Sequence, residues 1–254
     1  MRILSLTFAL LLFGLALHAQ SDTALLRKAW VGPELAYLNF DQKGYSMDFY
    51  GQWPQDGAYT LLGDTLRLHK IRYYGEKKTL YGDGDFLIKR LTTDSLILVP
   101  INWMANKKLR GQPILYYKDQ ALTAKKDLRF DSLVLKSSHS YSSTPTMEIQ
   151  INQKKQVKFS GLIYVIKDGS YTDILPDSTY QQLLYLLSIS ELDHLKSWGQ
   201  EIHDDKPLSL QIWYNNKMML IECRRFPMVA DKLEQLLFKI SATTKLERSS
   251  FRSL

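Results

Sequence analysis

Short stretches of alternating apolar and polar residues run from Trp30 to about Lys118, and this pattern limits the fold more than any other feature of the chain. Alternation with a period of two is typical of strands that bury one face. Turn residues such as Gly63 and Asp64 separate consecutive stretches, as they do in hairpins. The predicted strands are residues 35–40, 45–50, 58–62, 65–73, 85–91, 95–100 and 114–117.

No helical pattern in this half is longer than the opening one, at residues 22–29. At least seven short strands in succession therefore predict an antiparallel β meander, closed into a small barrel or curled into a sheet.

A polar stretch at residues 119–127 has the composition of a linker, and the pattern changes after it. We therefore predict a β module at residues 20–120 and a second module at residues 128–254. The second begins with a strand and continues as two units of two strands and a helix, so the predicted fold class is α+β. Its predicted strands are residues 130–136, 147–151, 157–166, 208–214 and 218–223, with helices beginning at Asp177 or Ser178 and after Pro227.

The two faces of the second sheet differ in character. If Ile149, Leu210 and Ile212 face the helices, strand alternation places Trp213, Met218 and Leu220 on the opposite face, among glutamine and glutamate residues. A mixed face with an exposed tryptophan is more typical of a contact surface than of bare solvent. We expect this face to contact the first module or an external partner.

The first twenty residues combine one basic residue, Arg2, with an apolar run at residues 3–16 and a small residue, Ala19, before Gln20. This is the pattern of a cleaved signal peptide, here residues 1–19. A membrane span needs about 20 apolar residues, so we expect no integral membrane segment after cleavage. We expect a periplasmic or secreted protein that is not a lipoprotein, because no cysteine follows the cleavage site.

The charge and the composition of the chain exclude several classes of protein. With 45% hydrophobic and 23% charged residues the chain resembles ordinary globular proteins. The net charge of +7 is spread in short doublets such as Lys107-Lys108, without the basic helix or arm of a nucleic-acid binder. Cys223 is the only cysteine, so no internal disulfide forms, and its apolar strand indicates a buried, inert thiol instead of a reactive one.

Motifs that would indicate catalysis are missing from the sequence. We find no serine-nucleophile elbow, phosphate loop or dinucleotide fingerprint, and His69, His139, His194 and His203 lack the spacing of zinc ligands. We therefore predict no catalytic residue, no metal and no cofactor. The alternative is a hydrolase that uses the polar loop with Glu201, His203 and Asp204 or Asp205.

The first module has Trp30 near its start and two hairpin motifs, at residues 59–66 (YTLLGDTL) and 86–98 (FLIKRLTTDSLIL). With these features it resembles the lipocalin-like domains of secreted bacterial proteins. The resemblance implies a barrel whose interior accepts a small apolar ligand, although its aromatic residues could equally pack the interior shut. The candidate lining residues are Trp30, Phe49, Trp53, Tyr59 and Trp103.

The second module contains Tyr164 with GSYT at residues 169–172, YQQLL at residues 180–184 and KPLSLQI at residues 206–212. With these motifs it resembles a family of exported bacterial domains of unknown function. Many members have a cysteine-rich segment where this chain has SSTP at residues 142–145, so no cysteine-dependent role is implied. The sequence thus predicts an exported, non-enzymatic binding protein of the bacterial cell envelope. Its expected partner is a small apolar molecule or an envelope protein, and not nucleic acid.

Overall fold

The computed structural model describes residues 23–48, 55–74, 77–109, 111–138, 145–195, 208–223, 225–243 and 247–248, with backbone alone at 71–82, 243 and 247–248. The chain divides into two compact units between Leu122 and Thr123. Within the described ranges, no helix has the length and apolar composition needed to cross a membrane.

The first unit is a closed antiparallel barrel of eight strands in sequential order, β1 to β8. Closure is made by β1 and β8, where Trp30 pairs with Asp119 and Val31 with Lys118. A closed barrel leaves no sheet edge with unpaired backbone groups. The strands are β1 (Ala29–Val31), β2 (Tyr37–Phe40), β3 (Tyr45–Asp48), β4 (Gln55–Leu62), β5 (Thr65–Tyr74), β6 (Lys77–Leu91), β7 (Ser95–Pro100) and β8 (Leu115–Asp119).

The barrel strands follow the predicted alternation of buried and exposed side chains. In β5, Leu66 and Leu68 are fully buried, whereas Arg67 between them and His69 after them are partly exposed. The β4–β5 hairpin turns through Gly63, whose φ of 59° is a left-handed conformation that glycine adopts without strain. Leu66 and Leu68 therefore fill the barrel interior.

A short helix, α1 (Trp103–Lys108), connects β7 to β8. Asn102 caps it, because its side-chain oxygen accepts a hydrogen bond of 2.8 Å from the Ala105 N–H. The same Asn102 side chain donates to the backbone carbonyl of Asp83 at 3.1 Å, which fixes the start of α1 against β6.

The second unit is a seven-stranded sheet in the order β14-β13-β9-β10-β11-β12-β15. The fully buried residues Leu183 and Leu187 of one helix, Leu233 and Leu237 of the other and Leu210 of β13 belong to its core. The elements are β9 (Phe130–Ser137), β10 (Thr146–Asn152), β11 (Gln156–Ile163), β12 (Gly169–Ile174), α2 (Asp177–Ile189), β13 (Leu208–Tyr214), β14 (Lys217–Cys223), α3 (Asp231–Thr243) and β15 (Glu247–Arg248).

The predicted α+β class, with a β barrel followed by a sheet with few helices, is confirmed. Three strands, β1, β12 and β15, were not predicted. In β12, Ser170, Thr172 and Ile174 are exposed, so the strand lacks the apolar alternation of its neighbours. A strand of this kind forms because its backbone pairs with β11, from Gln156↔Ile174 to Gly161↔Gly169.

Candidate functional site

The predicted lining residues of the barrel have different environments. Trp30 is fully buried, and its indole N–H donates to the Leu26 carbonyl at 3.0 Å. Tyr59 is half-buried, with its ring edge-on to that of Phe40 at a centroid distance of 5.1 Å. Trp103, in contrast, is 68% exposed on α1. Phe49 and Trp53 lie outside the described residues. Of the three candidates that the structure describes, Trp30 alone is fully buried.

Lys108, the last residue of α1, is a buried cation of the barrel, with 8% exposure. Its amine lies beside Gly84, where an added Cβ would be 3.6 Å from Lys108 Nζ and 3.3 Å from the Phe86 ring. Gly84 pairs with the buried Leu68 and therefore faces the interior. The lysine side chain thus reaches into the barrel from the helix that connects β7 and β8.

Burial lowers the pKa of Lys108 to about 8, and the nearby positive charge of Lys70 lowers it further. The carboxylate of Asp83 acts in the opposite direction but does not offset the effect of burial. An anion placed against this ammonium would restore its ordinary pKa.

Tyr45 supplies a second buried polar group, with 3% exposure. Its ring covers Gly57, where an added Cβ would be 2.6 Å from Tyr45 Cε1. Among the residues that the structure describes, the Tyr45 hydroxyl has no hydrogen-bond partner. Burial, and then the charges of Asp56 and Asp83, raise its pKa, so the hydroxyl stays protonated and can donate.

Lys108 and Tyr45 cover neighbouring positions of the barrel wall, because Gly57 under the Tyr45 ring pairs with Lys70, and Gly84 beside Lys108 pairs with Leu68 two residues away on β5. One is an ammonium and the other a hydroxyl donor, and both are buried among apolar side chains. Charge-assisted hydrogen bonds to a carboxylate or phosphate are the strongest that such donors form. We call Lys108 and Tyr45 the polar end of the barrel.

A hydrogen-bonded row on the outer wall of the barrel joins three strands. Thr60 Oγ1 lies 2.7 Å from His69 Nε2, and His69 Nδ1 lies 2.8 Å from Asp83 Oδ1. Beside it, Arg67 donates to Asp85 through two bonds of 2.8 and 3.0 Å. The order of groups is that of a proton relay, but the row lies across β4, β5 and β6 on the convex side. We assign it the role of fixing these strands to one another.

The second sheet has the predicted mixed face. Trp213 is half-buried and pairs with Ser132 on one side and Met218 on the other. Met218 and Leu220 are each 50% exposed, whereas Leu210 and Ile212 on the other face are fully buried. The side-chain distribution follows the predicted alternation, and it brings Trp213 and Met218 together as register partners.

The polar loop of the alternative hydrolase, with Glu201, His203, Asp204 and Asp205, lies outside the described residues, as does His139. His194 is exposed and contacts Glu191 at 3.1 Å. Within the described part of the chain, no group of three or more His, Cys, Asp or Glu side chains is placed to hold a metal ion.

Sequence reasoning missed both members of the polar end. Lys108 belongs to a lysine doublet that resembles surface charge, and Tyr45 begins an ordinary strand. The helix that buries Lys108 has six residues, too few for a periodic pattern. Packing of α1 against β6 brings Lys108 beside Gly84, so no local signal marks the site.

These features define a two-unit α+β protein with a closed β barrel and a helix-backed sheet. Residues 131–244 match the model of a domain of unknown function, DUF6438, and this match spans β9 to α3. The second unit is thus similar to that domain. No curated protein and no solved structure matches the chain. The eight-stranded closed barrel is consistent with the lipocalin-like resemblance of the first unit.

Proposed function

We propose that this protein is an exported, non-enzymatic binding protein of the bacterial cell envelope, whose barrel holds a small apolar molecule by its acidic head. The polar end of the barrel supports this most directly, because it offers a buried ammonium and a buried hydroxyl donor in an apolar interior. The signal-peptide pattern of residues 1–19 supports export.

The number of strands in the barrel is compatible with such a ligand. Barrels of eight strands have interiors that side chains fill or that hold one small molecule. Apolar walls stabilise a hydrocarbon tail by about 25 cal/mol for each Å² removed from water. An acidic head would receive a charge-assisted hydrogen bond from Lys108 and a second bond from Tyr45.

A ligand with an acidic head also stabilises the charged form of the buried Lys108. Since the Lys108 pKa of about 8 is below its ordinary value, burial disfavours the charged form. A bound carboxylate favours the charged form, so binding should raise the pKa of Lys108. Affinity for an acid should therefore weaken as the pH rises through about 8, because the free protein loses the proton that binding needs.

The test compares two neighbouring lysines. Lys108→Met removes the buried charge and keeps an apolar chain of similar length, whereas Lys107→Met removes an exposed charge from the same helix. Binding of dodecanoic acid and of 1-dodecanol is measured by native mass spectrometry and by tryptophan fluorescence. We expect the unmodified protein and Lys107→Met to prefer the acid, and Lys108→Met to lose about tenfold in acid affinity.

Tyr45→Phe should reduce acid affinity by a smaller factor. Thermal unfolding checks that each variant is folded. The proposal is wrong if the unmodified protein binds neither probe, or if it binds the acid and the alcohol equally and Lys108→Met changes nothing.

A second candidate function is binding of an envelope protein through the face with Trp213, Met218 and Leu220. The half-exposed Met218 and Leu220 support it, because the aromatic and apolar centre of a protein interface has this composition. A Trp213→Ala/Leu220→Ser protein should lose a partner that co-purifies from the envelope. A Leu122→Ser protein, changed at a 64% exposed site of the barrel unit, should keep it. Retention of every partner by both proteins would count against this function.

A further inference from the structure

The turn between β11 and β12 exposes apolar side chains at its end. Leu162 is 71% exposed, Tyr164 is 59% exposed and Ile166 is 78% exposed. We call these three residues the apolar tip. Gly161 and Gly169 pair at the base of the turn, and five of the seven residues between them are Leu, Ile, Tyr, Val and Ile. A polar turn would be the ordinary choice for a solvated hairpin.

The turn itself is folded in a way that holds the apolar tip outward. Val165 packs back onto Gly161, where an added Cβ would be 2.9 Å from Val165 Cγ2 and 2.4 Å from the Lys167 carbonyl. Tyr164 has a φ of 54°, a left-handed conformation that non-glycine residues rarely adopt. The Tyr171 hydroxyl donates to the Asp168 carbonyl at 2.7 Å and fixes the far side of the turn. These contacts hold the turn in one conformation and leave the apolar tip exposed.

Positive charge lies directly beside the apolar tip. Lys167 follows Ile166, and its amine lies 6.0 Å from the centre of the Tyr171 ring. Asp168 follows Lys167 in the sequence, so the tip has one cation and one neighbouring carboxylate. The Lys167 ammonium can pair with an anionic headgroup, since charges at a membrane surface attract one another within a Debye length.

We propose that the apolar tip inserts into the surface of an anionic lipid bilayer, with Lys167 at the level of the headgroups. Leu162 and Ile166 supply the apolar surface that enters the acyl boundary, and Tyr164 has the amphipathic ring that favours the interface. The contact, which rests on the export proposed above, would hold the protein at a membrane surface.

The size and shape of the apolar tip favour lipid over a protein partner. A stable protein interface buries about 800 Å² per partner from some 20 to 30 residues. Three side chains at the end of a hairpin cannot supply that area alone. A convex apolar end with a neighbouring cation matches a bilayer surface, where depth of insertion replaces shape complementarity.

The experiment measures co-sedimentation of the naturally processed protein with two kinds of vesicle, phosphatidylglycerol mixed with phosphatidylcholine and phosphatidylcholine alone. The variant Leu162→Ser/Ile166→Ser removes the tip, and Ile174→Ser is the matched control. Ile174 is 65% exposed at the other end of β12, so its change removes a similar apolar surface away from the turn.

We expect binding to the anionic vesicles that falls about tenfold in the tip variant and stays within about twofold of the unmodified level in Ile174→Ser. Lys167→Glu should weaken binding to the anionic vesicles but leave the weak binding to phosphatidylcholine unchanged. Added salt should weaken binding to the anionic vesicles and leave binding to phosphatidylcholine unchanged.

Two results would overturn the proposal. One is binding by the tip variant equal to that of the unmodified protein, or no binding by either. The other is a lipid-free dimer that the tip variant dissociates, which would assign the tip to a second copy of the chain. Lys108→Met should keep its vesicle binding, so failure of the barrel function and failure of the membrane contact are separate outcomes.

Discussion

At the scale of the residue, Glu234 shows how burial inside the second unit alters acid–base behaviour. Burial raises the pKa of this α3 carboxyl to about 7, the neighbouring Asp231 raises it further, and a bond of 3.4 Å from the Phe226 N–H opposes the shift. A carboxyl whose pKa is raised on folding stays protonated to a higher pH in the folded state than in the unfolded state. The free energy of unfolding therefore falls as the pH rises from the ordinary pKa of about 4.3 to about 7.

We therefore predict that Glu234→Gln is more stable than the unmodified protein at pH 8, by about 2 kcal/mol, and equal to it near pH 3, below the pKa of the unfolded state. Urea unfolding at the two pH values measures the difference. Glu222→Gln changes an exposed carboxyl of β14 and is the control. It should alter the free energy of unfolding by the same small amount at both pH values. A Glu234→Gln protein that is less stable at pH 8 would contradict the assignment.

Asp193 has the opposite behaviour. Its carboxylate accepts hydrogen bonds from the Lys125 and Lys217 ammonium groups and, at 2.7 Å, from the Tyr214 hydroxyl. These three bonds hold its pKa well below the ordinary range. The stabilisation is complete above the unfolded-state pKa of about 3.9 and is lost as the pH falls towards the folded-state pKa.

Asp193→Asn should therefore lower the free energy of unfolding by about 1 kcal/mol at pH 7. The loss is this small because the side chain is 33% exposed and solvent screens its charge. The difference from the unmodified protein should shrink when unfolding is measured below pH 4. Asp177→Asn is the control, since this carboxylate meets Lys155 at 2.6 Å but is 83% exposed. A loss at pH 7 no larger than that of Asp177→Asn would show that the Asp193 network adds nothing.

At the scale of the element, the two faces of the second sheet should respond differently to the same substitution. Leu210 in β13 is fully buried, and Leu220 in β14 is 50% exposed on the opposite face. Leu210→Ala should cost about 2 to 5 kcal/mol, because it leaves a cavity in the core. Leu220→Ala should cost less than about 1 kcal/mol. Denaturant unfolding compares the two, and equal losses would mean that the outer face is as buried as the core.

Element boundaries also show what a local pattern can predict. The β4–β5 hairpin was predicted because Gly63 and Asp64 mark the turn and the strand residues alternate. The strand β12 was not, because its identity comes from pairing with β11 and not from its own side chains. The helix α1 was not predicted because a helix of six residues is too short to show a periodic pattern of apolar side chains.

At the scale of the whole molecule, each unit has its own fully buried core, with Phe86 in the barrel and Leu210 in the second unit. We predict two thermal transitions. Phe86→Ala should lower the midpoint of one and Leu210→Ala that of the other, as calorimetry of the two variants would measure. A single transition that both substitutions lower equally would show that the units unfold together.

The sequence alone determined the α+β class and the strands and helices that have a clear apolar period, because hydrophobic periodicity is a local property that fixes which face of each element is buried. It also predicted the buried thiol of Cys223, whose pKa burial raises to about 12. Tertiary structure decided where the chemistry lies. Packing of α1 on β6 buries Lys108 against Gly84, and pairing of β3 with β4 buries Tyr45 against Gly57. A side chain's charge state depends on the solvent that distant residues remove, so the polar end exists only in the folded barrel.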